Sequence, residues 1–208
     1  MSTDATLPRR EMIPLVVPPV TLEGRTVRLE PLRLAHTAEL TTVCEPAVFE
    51  FLSQVMSTEA EVRQYIAAAE EAAGRGTEQP FFIRDRETGA ALGTTRYMTI
   101  SRQDRNLEIG HTWLARRAWR TRVNTECKFL LLRHAFEELR VIRVQLKTDA
   151  RNQRSRAAIE RIGGKFEGIL RNHMLVRGGV VRDSAYFSIL DTEWPEVKSR
   201  LEERLARE

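Results

Sequence analysis

Cysteine is scarce in this chain of 208 residues, with only Cys44 and Cys127. Both fall in apolar helical patterns and neither has zinc-type spacing. Two buried free thiols are therefore expected, rather than a disulfide framework or a metal centre. Histidine is equally thin: His36, His111, His134 and His173 are scattered, and no metal ligand set is expected. Aromatic residues make up 7% of the chain and few stand near its arginines, which argues against a base-stacking platform for single-stranded nucleic acid. Long apolar runs are missing too. Ile13–Val20 contains Pro14, Pro18 and Pro19, is too short to span a membrane and makes a poor secretion signal. Residues 1–20 read as a flexible N-terminal arm, and 21–208 as a single domain. A reducing cytoplasm suits the cysteine usage.

What is present is a globular composition, 42% hydrophobic and 30% charged, with a net charge of +4. That mild excess favours anionic ligands without requiring nucleic acid. It is concentrated at one place. Residues 107–136 read as a strand, a turn with four arginines in seven residues (Arg116, Arg117, Arg120, Arg122) and an apolar helix. A helix N-terminus offers free N–H groups and the positive end of a dipole, and guanidinium groups bind phosphate in bidentate fashion. The turn is thus a candidate anion site, with a solvated basic loop as the alternative.

Periodicity places the other elements. Thr26–Leu32 alternates as a strand, with Pro31 marking an edge or the strand end. Ala35–Cys44 and Thr58–Ala73 read as helices, the second opened by a Thr58/Glu61 capping box and stopped at Gly74–Gly76. Pro80–Asp85 and Ala90–Ile100 form a hairpin, followed by a strand at Leu107–Leu114. Leu132, Ala135, Phe136 and Leu139 give the next helix an inward face. Val141–Thr148 is a strand and Asn152–Ile162 a short helix capped by Asn152. Phe166–Val176 and Val180–Leu190 pair across Gly178-Gly179, and Pro195 opens a last helix with Val197 and Leu201 on one face. The order β-α-α-β-β-β-α-β-α-β-β-α predicts a mixed sheet with a right-handed parallel crossover between 107–114 and 142–148.

This ordered set resembles the Gcn5-related N-acetyltransferase (GNAT) superfamily, in particular its RimJ/RimL-like branch. The pieces that carry the likeness are Leu22-Glu-Gly-Arg-Thr-Val-Arg-Leu-Glu-Pro-Leu32, Glu108-Ile-Gly110, Asp149-Ala-Arg-Asn-Gln-Arg-Ser-Arg-Ala-Ala-Ile159, Gly163, Glu167-Gly-Ile-Leu-Arg171 and Arg182-Asp183. The resemblance spans about residues 22–205. It implies an α/β (α+β) fold with a mixed, mostly antiparallel sheet of about seven strands flanked by helices. It also implies acetyl transfer from acetyl-CoA to a primary amine by direct attack in a ternary complex, without a metal. The acceptor could be a protein N-terminus, an amino acid or a small amine, and a homodimer is compatible with the family.

By the same resemblance, the cofactor would be held by Leu114, Ala115, Trp119, Arg120, Thr121, Arg122, Val123, Asn124, Thr125 and Asn152, with Arg151, Arg154 and Arg156 near the nucleotide 3′-phosphate. One departure stands out. The turn's usual glycines are absent: Arg122 and Asn124 occupy glycine or small-residue positions, and Arg120 stands where a small residue is common. Glu108 is the first candidate for the base, with His111 and His173 as substitutes and an ion-paired strand glutamate as the plain alternative. The tyrosine acid of many relatives is replaced by Ile159, so Ser155 would stabilise the leaving thiolate. A backbone donor for the oxyanion would fall near Trp113–Ala115. Glu126 is expected to complement its own helix dipole, and Trp113 and Trp119 to pack. Two rival readings remain: a non-catalytic GNAT-fold binding module with an altered turn, and a weaker RNA-associated basic surface.

Overall fold

Phe81, Phe82 and Ile83 are consecutive and all fully buried. A strand apolar on both faces needs cover on both sides. Phe81 and Ile83 join one core cluster, and Phe82 joins the other. A computed structural model of the chain describes residues 13–207. Its elements are β1 (Leu22–Glu23), β2 (Val27–Pro31), α1 (Thr37–Thr41), α2 (Glu59–Gly74), β3 (Gln79–Asp85), β4 (Ala91–Ser101), β5 (Asn106–Leu114), α3 (Val123–Arg133), β6 (Arg143–Asp149), α4 (Gln153–Arg161), β7 (Lys165–Val176), β8 (Val180–Leu190) and α5 (Trp194–Arg207). They build one eight-stranded sheet in the order β1-β2-β3-β4-β5-β6-β8-β7. Only β5 and β6 run parallel. Cys127, Leu130 and Leu131 of α3 pack with Val197 and Leu201 of α5 on one face. Val62, Ile66 and Ala69 of α2 cover the other, with Leu40 of α1.

Local chemistry explains the boundaries. The Thr58 hydroxyl accepts the Glu61 N–H while the Glu61 carboxylate accepts the Ser57 and Thr58 N–H groups, the reciprocal cap expected for α2. Past its end Gly76 adopts φ +69°, a left-handed stop that suits glycine. Gly178 and Gly179, both at φ +75°, turn the β7–β8 hairpin. The last buried stretch of α3 widens into a π-turn at His134–Glu138. There the buried Tyr97 hydroxyl donates to the Leu131 carbonyl at 2.6 Å.

Several expectations are adjusted. The sheet has one strand more than about seven, because the two-residue β1 pairs Leu22 with Leu29 and Glu23 with Arg28. Pro31 marks the end of β2 rather than a sheet edge, since β1 and β3 flank that strand. The helix expected over 35–44 is a 3₁₀ turn at Leu34–His36 followed by five α-helical residues, so Cys44 lies beyond it, half-buried. The Thr41 and Thr42 hydroxyls bond back to the Thr37 and Glu39 carbonyls, competition that shortens helices. Both thiols are free and burial pushes each up to about 12. Most of the expected arm, residues 1–12, lies outside the described residues. Within 13–20, Leu15 is buried in the core, and its N–H bonds the Arg102 carbonyl at 2.8 Å.

Glu126 does more than face its own helix dipole. Its buried carboxylate accepts the N–H groups of Arg25 and Thr26 and the Thr26 hydroxyl, pinning the β1–β2 turn to α3. Gly24 fits there because a Cβ would strike that carboxylate.

Candidate active site

β5 and β6 pair only at Asn106–Arg143, Leu107–Val144 and Glu108–Gln145. Beyond Glu108 they part. A bulge lies in β5, where Thr94 opposes Trp113 but Arg96 opposes Gly110, and His111 takes φ +48°. An extra residue bends and twists the strand that carries it. The edge of β5 facing β6 is left without a strand partner over its second half. The Ala115 N–H is spent on the Leu92 carbonyl across β4. Because successive N–H groups alternate sides, Leu114 directs its own toward the split.

The basic turn closes the wide end of this split. Trp119 donates its indole N–H to the Leu114 carbonyl at 2.8 Å, and the Arg154 guanidinium lies 4.3 Å over its ring. Trp119 thus packs as expected and also joins the turn to α4. The arginines do not converge on one point. Arg117 donates to the Ala91 carbonyl. Arg122 donates to the Leu205 carbonyl at 3.0 Å and faces Glu126 at 3.8 Å. Arg116 sits 3.8 Å from Glu45, while Arg120 is exposed. Arg120 adopts φ +60°, where an L-residue is disfavoured by about 1–2 kcal/mol. The turn keeps a glycine-type backbone there without the glycine. Arg122, at φ −65°, needs none.

The N–H groups in the first turn of α3 have no acceptor within the helix, as at any helix start. Val123 bonds the Thr121 hydroxyl at 3.3 Å, which leaves Asn124 and Thr125 as the free pair. Thr121 itself donates to the Ala118 carbonyl at 2.8 Å, and the Thr125 side chain is buried. On α4, Asn152 accepts the Ser155 N–H through Oδ1 at 3.0 Å, the expected N-cap. Its Nδ2 and the Ser155 hydroxyl bond no described protein group. Arg151 is committed to Asp149 at 2.7 Å, and Arg156 lies 5.4 Å over Phe166.

At the apex of the split, Glu108 is only 2% exposed. Its Oε2 accepts from Gln145 at 2.9 Å and pairs with Lys147 at 3.1 Å. A Cβ on Gly110 would lie 2.7 Å from Glu108 Oε1, so glycine keeps the space above the carboxylate clear. His111 Nδ1 is buried without a partner, and burial, with Arg96, Lys147 and Arg182 nearby, pulls this imidazole down to about 4. His173 bonds Ser184 at 3.0 Å and Tyr186 at 3.1 Å, and burial lowers it as well. Both rings are therefore neutral near pH 7. From α2, Tyr65 bonds Thr94 at 2.8 Å and lies beneath the Arg96 guanidinium, which pairs with Glu78 at 2.8 Å.

The fold gathers Glu108, His111 and His173 at one face, and sets Asn152 and Ser155 at the far end of β6. Lys147, Gln145 and Tyr186 escaped sequence reasoning, and Arg182 entered it only as part of the Arg182-Asp183 motif, with no role assigned. Their signal was the polar alternation Gln145, Lys147, Asp149 and Arg182, Ser184, Tyr186, Ser188, opposite the apolar residues Val144, Leu146, Ala185 and Phe187 that face the core.

Comparison with known proteins agrees with this architecture. An acetyltransferase (GNAT) domain model matches residues 26–165. The chain is 34% identical over 106 residues to YdaF of Bacillus subtilis (strain 168), named as a ribosomal N-acetyltransferase, covering 51% of this chain and 57% of that protein. It is 39% identical to an acetyltransferase structure from T. thermophilus, with a TM-score of 0.82 over 91% of this chain and 98% of the other. Mycobacterium smegmatis RimJ, solved with CoA-disulfide, shares the fold at a TM-score of 0.75 and 21% identity, over 88% and 93% of the two chains. The order of elements and the sheet are thus those of an acetyltransferase fold, and the chain belongs to the GNAT family of N-acetyltransferases.

Proposed function

We propose that this chain transfers acetyl from acetyl-CoA to a primary amine seated in the split between β5 and β6. The observation that carries the reading is the parting of these strands immediately beyond a buried carboxylate, Glu108. The residues present fit acetyl-CoA. The Asn124 and Thr125 N–H groups start α3, Arg122 is drawn away toward Leu205, and Asn152 Nδ2 and the Ser155 hydroxyl are uncommitted.

When bound, acetyl-CoA supplies the thioester carbonyl carbon that the amine attacks. Glu108 takes the amine proton through Oε1, directly or through one water, while Gln145 and Lys147 hold Oε2. The Leu114 N–H donates to the carbonyl oxygen as negative charge develops there. Ser155 donates to the leaving sulfur; a serine hydroxyl near its ordinary acidity serves by hydrogen bonding. Asn152 steadies the pantetheine arm through Nδ2, and the α3 N-terminus with Arg120 faces the pyrophosphate. A cytoplasmic setting is part of the same reading, resting on the two free thiols. No helix among the described residues is long and apolar enough to cross a membrane.

The test is thermal stabilisation by acetyl-CoA against an equal concentration of RNA, followed by CoA release with an amine panel. Stabilisation by acetyl-CoA alone and CoA release are expected. Binding without turnover across peptides, amino acids and small amines would establish the non-catalytic module, for which the altered turn at Arg120 and Arg122 speaks. Stabilisation by RNA would point to the basic surface. That outcome is disfavoured because Arg117 and Arg122 are spent on the Ala91 and Leu205 carbonyls.

A further inference from the structure

Three cations stand around the candidate acceptor face, and two are balanced. Arg96 pairs with Glu78 at 2.8 Å, and Lys147 with Glu108 at 3.1 Å. Arg182, on the neighbouring strand, is not. It lies on the face of β8 that carries Ser184 and Tyr186, which oppose Asp149 and Lys147 of β6. Its guanidinium makes no hydrogen bond or ion pair with any described residue, and its Nε is buried without a partner.

The anions that could serve it are engaged. Asp149 is gripped by Arg151 through both oxygens, at 2.9 and 2.7 Å. Asp183 turns to the Asn172 N–H at 2.7 Å. The Tyr186 hydroxyl is bonded to His173, and Glu108 to Lys147 and Gln145. The positive charge of Arg182 still reaches this face: it bears on His111 and His173 and is itself drawn toward Asp149 and Glu108.

A half-buried guanidinium without a partner is costly unless a ligand completes it. One surplus positive charge calls for one negative charge. The planar fork of arginine matches a carboxylate through two parallel hydrogen bonds.

We propose that Arg182 recognises a carboxylate on the acceptor, so that the acetylated amine belongs to a small amino-carboxylic acid of the amino-acid class. This deepens the acetyl-transfer reading and rests on it. The amine would lie toward Glu108 and the carboxylate toward Arg182, with Tyr186 and His173 between them. Arg182 acts on substrate choice and leaves the chemistry of transfer to Glu108.

The test uses the full chain with acetyl-CoA and matched pairs of amino acids and their carboxamides, which keep the amine and lose the negative charge. CoA release should favour the acid over its own amide by roughly ten- to a hundredfold in kcat/KM, mainly through KM. Arg182→Met should erase that preference and Arg182→Lys retain part of it, while both keep the stabilisation by acetyl-CoA. A second readout needs no turnover: acids, and not amides, should add to the thermal stability of the acetyl-CoA complex. Amides accepted as well as acids, or a preference that survives Arg182→Met, would overturn the inference. If acetyl-CoA stabilises the protein but neither acids nor amides bind or react, the carboxylate assignment fails while acetyl transfer to other amines stands. Failure of acetyl-CoA itself to stabilise the protein overturns both.

Discussion

The Lys128 ammonium, buried on α3, donates to the hydroxyl of Thr112 at 2.6 Å, inside the β5 bulge. It has no carboxylate partner among the described residues, and Thr95 lies 3.5 Å away. Burial pulls this lysine from 10.5 down to about 8. Between those values the unfolded chain binds more protons than the folded one, so folding stability rises with pH through that window. Below about pH 8 the cost of a buried charge is fully present. Lys128→Met should stabilise the fold at pH 7 by up to about 3 kcal/mol and flatten the rise between pH 8 and 10.5. Thr95 and Thr112 remain bonded to each other at 2.8 Å. Denaturant melts across that range decide it; an unchanged slope would refute the assignment.

Arg120 holds a left-handed backbone on the basic turn, with its side chain exposed. Arg120→Gly should stabilise the fold by about 0.5–1 kcal/mol, the relief of φ outweighing the entropy of glycine. Acetyl-CoA affinity, measured by calorimetry, should fall only two- to fivefold, since an exposed charge contributes less than about 1 kcal/mol. A tenfold gain would show instead that the native arginine obstructs the cradle.

Glu108 and His111 can be separated as bases. Glu108→Gln keeps shape and loses the proton acceptor, and should lower turnover by roughly 10²–10⁴. His111→Asn suits the left-handed bulge and should cost less than about tenfold, because an imidazole pulled down to about 4 is a weak base. The pH profile of kcat/KM should accordingly lack an acid limb near pH 6.5. Equal losses in the two variants would contradict the assignment of Glu108.

Asn152 divides its labour by atom. Asn152→Ser retains a helix cap and should leave stability within about 0.5 kcal/mol while weakening acetyl-CoA binding severalfold. Asn152→Ala removes the cap too, at a further cost of about 1 kcal/mol. Thermal melts with and without acetyl-CoA separate the effects. Unaltered affinity in both variants would confine this residue to capping.

The capping box of α2, the glycine turn between β7 and β8 and the order of elements were legible because each is written within a few neighbouring residues. Glu108 and Ser155 could be picked out from motif position. The partners of Glu108 could not, because Gln145 and Lys147 reach it only through the parallel register of β5 on β6. The four arginines misled in part. Density along the chain suggested one anion site, whereas Arg117 and Arg122 turn to carbonyls of Ala91 and Leu205. Glu126 read as a dipole partner because the turn it holds, at Arg25 and Thr26, lies a hundred residues away.

By itself, then, the amino-acid order determined most of the helices and strands, several of their ends, and that a helix start follows a strand carrying Glu108. Propensity, capping and apolar period act locally, so they survive without a fold. Only the tertiary structure decided that β5 bulges at His111 and parts from β6, that Lys128 enters the core among hydroxyls and without a carboxylate partner among the described residues, and that Arg182 is left without an anion. Those outcomes depend on strand register and on which side chains pack from distant segments. A one-residue change in pairing would send Gln145, Lys147 and Arg182 to the opposite face of the sheet.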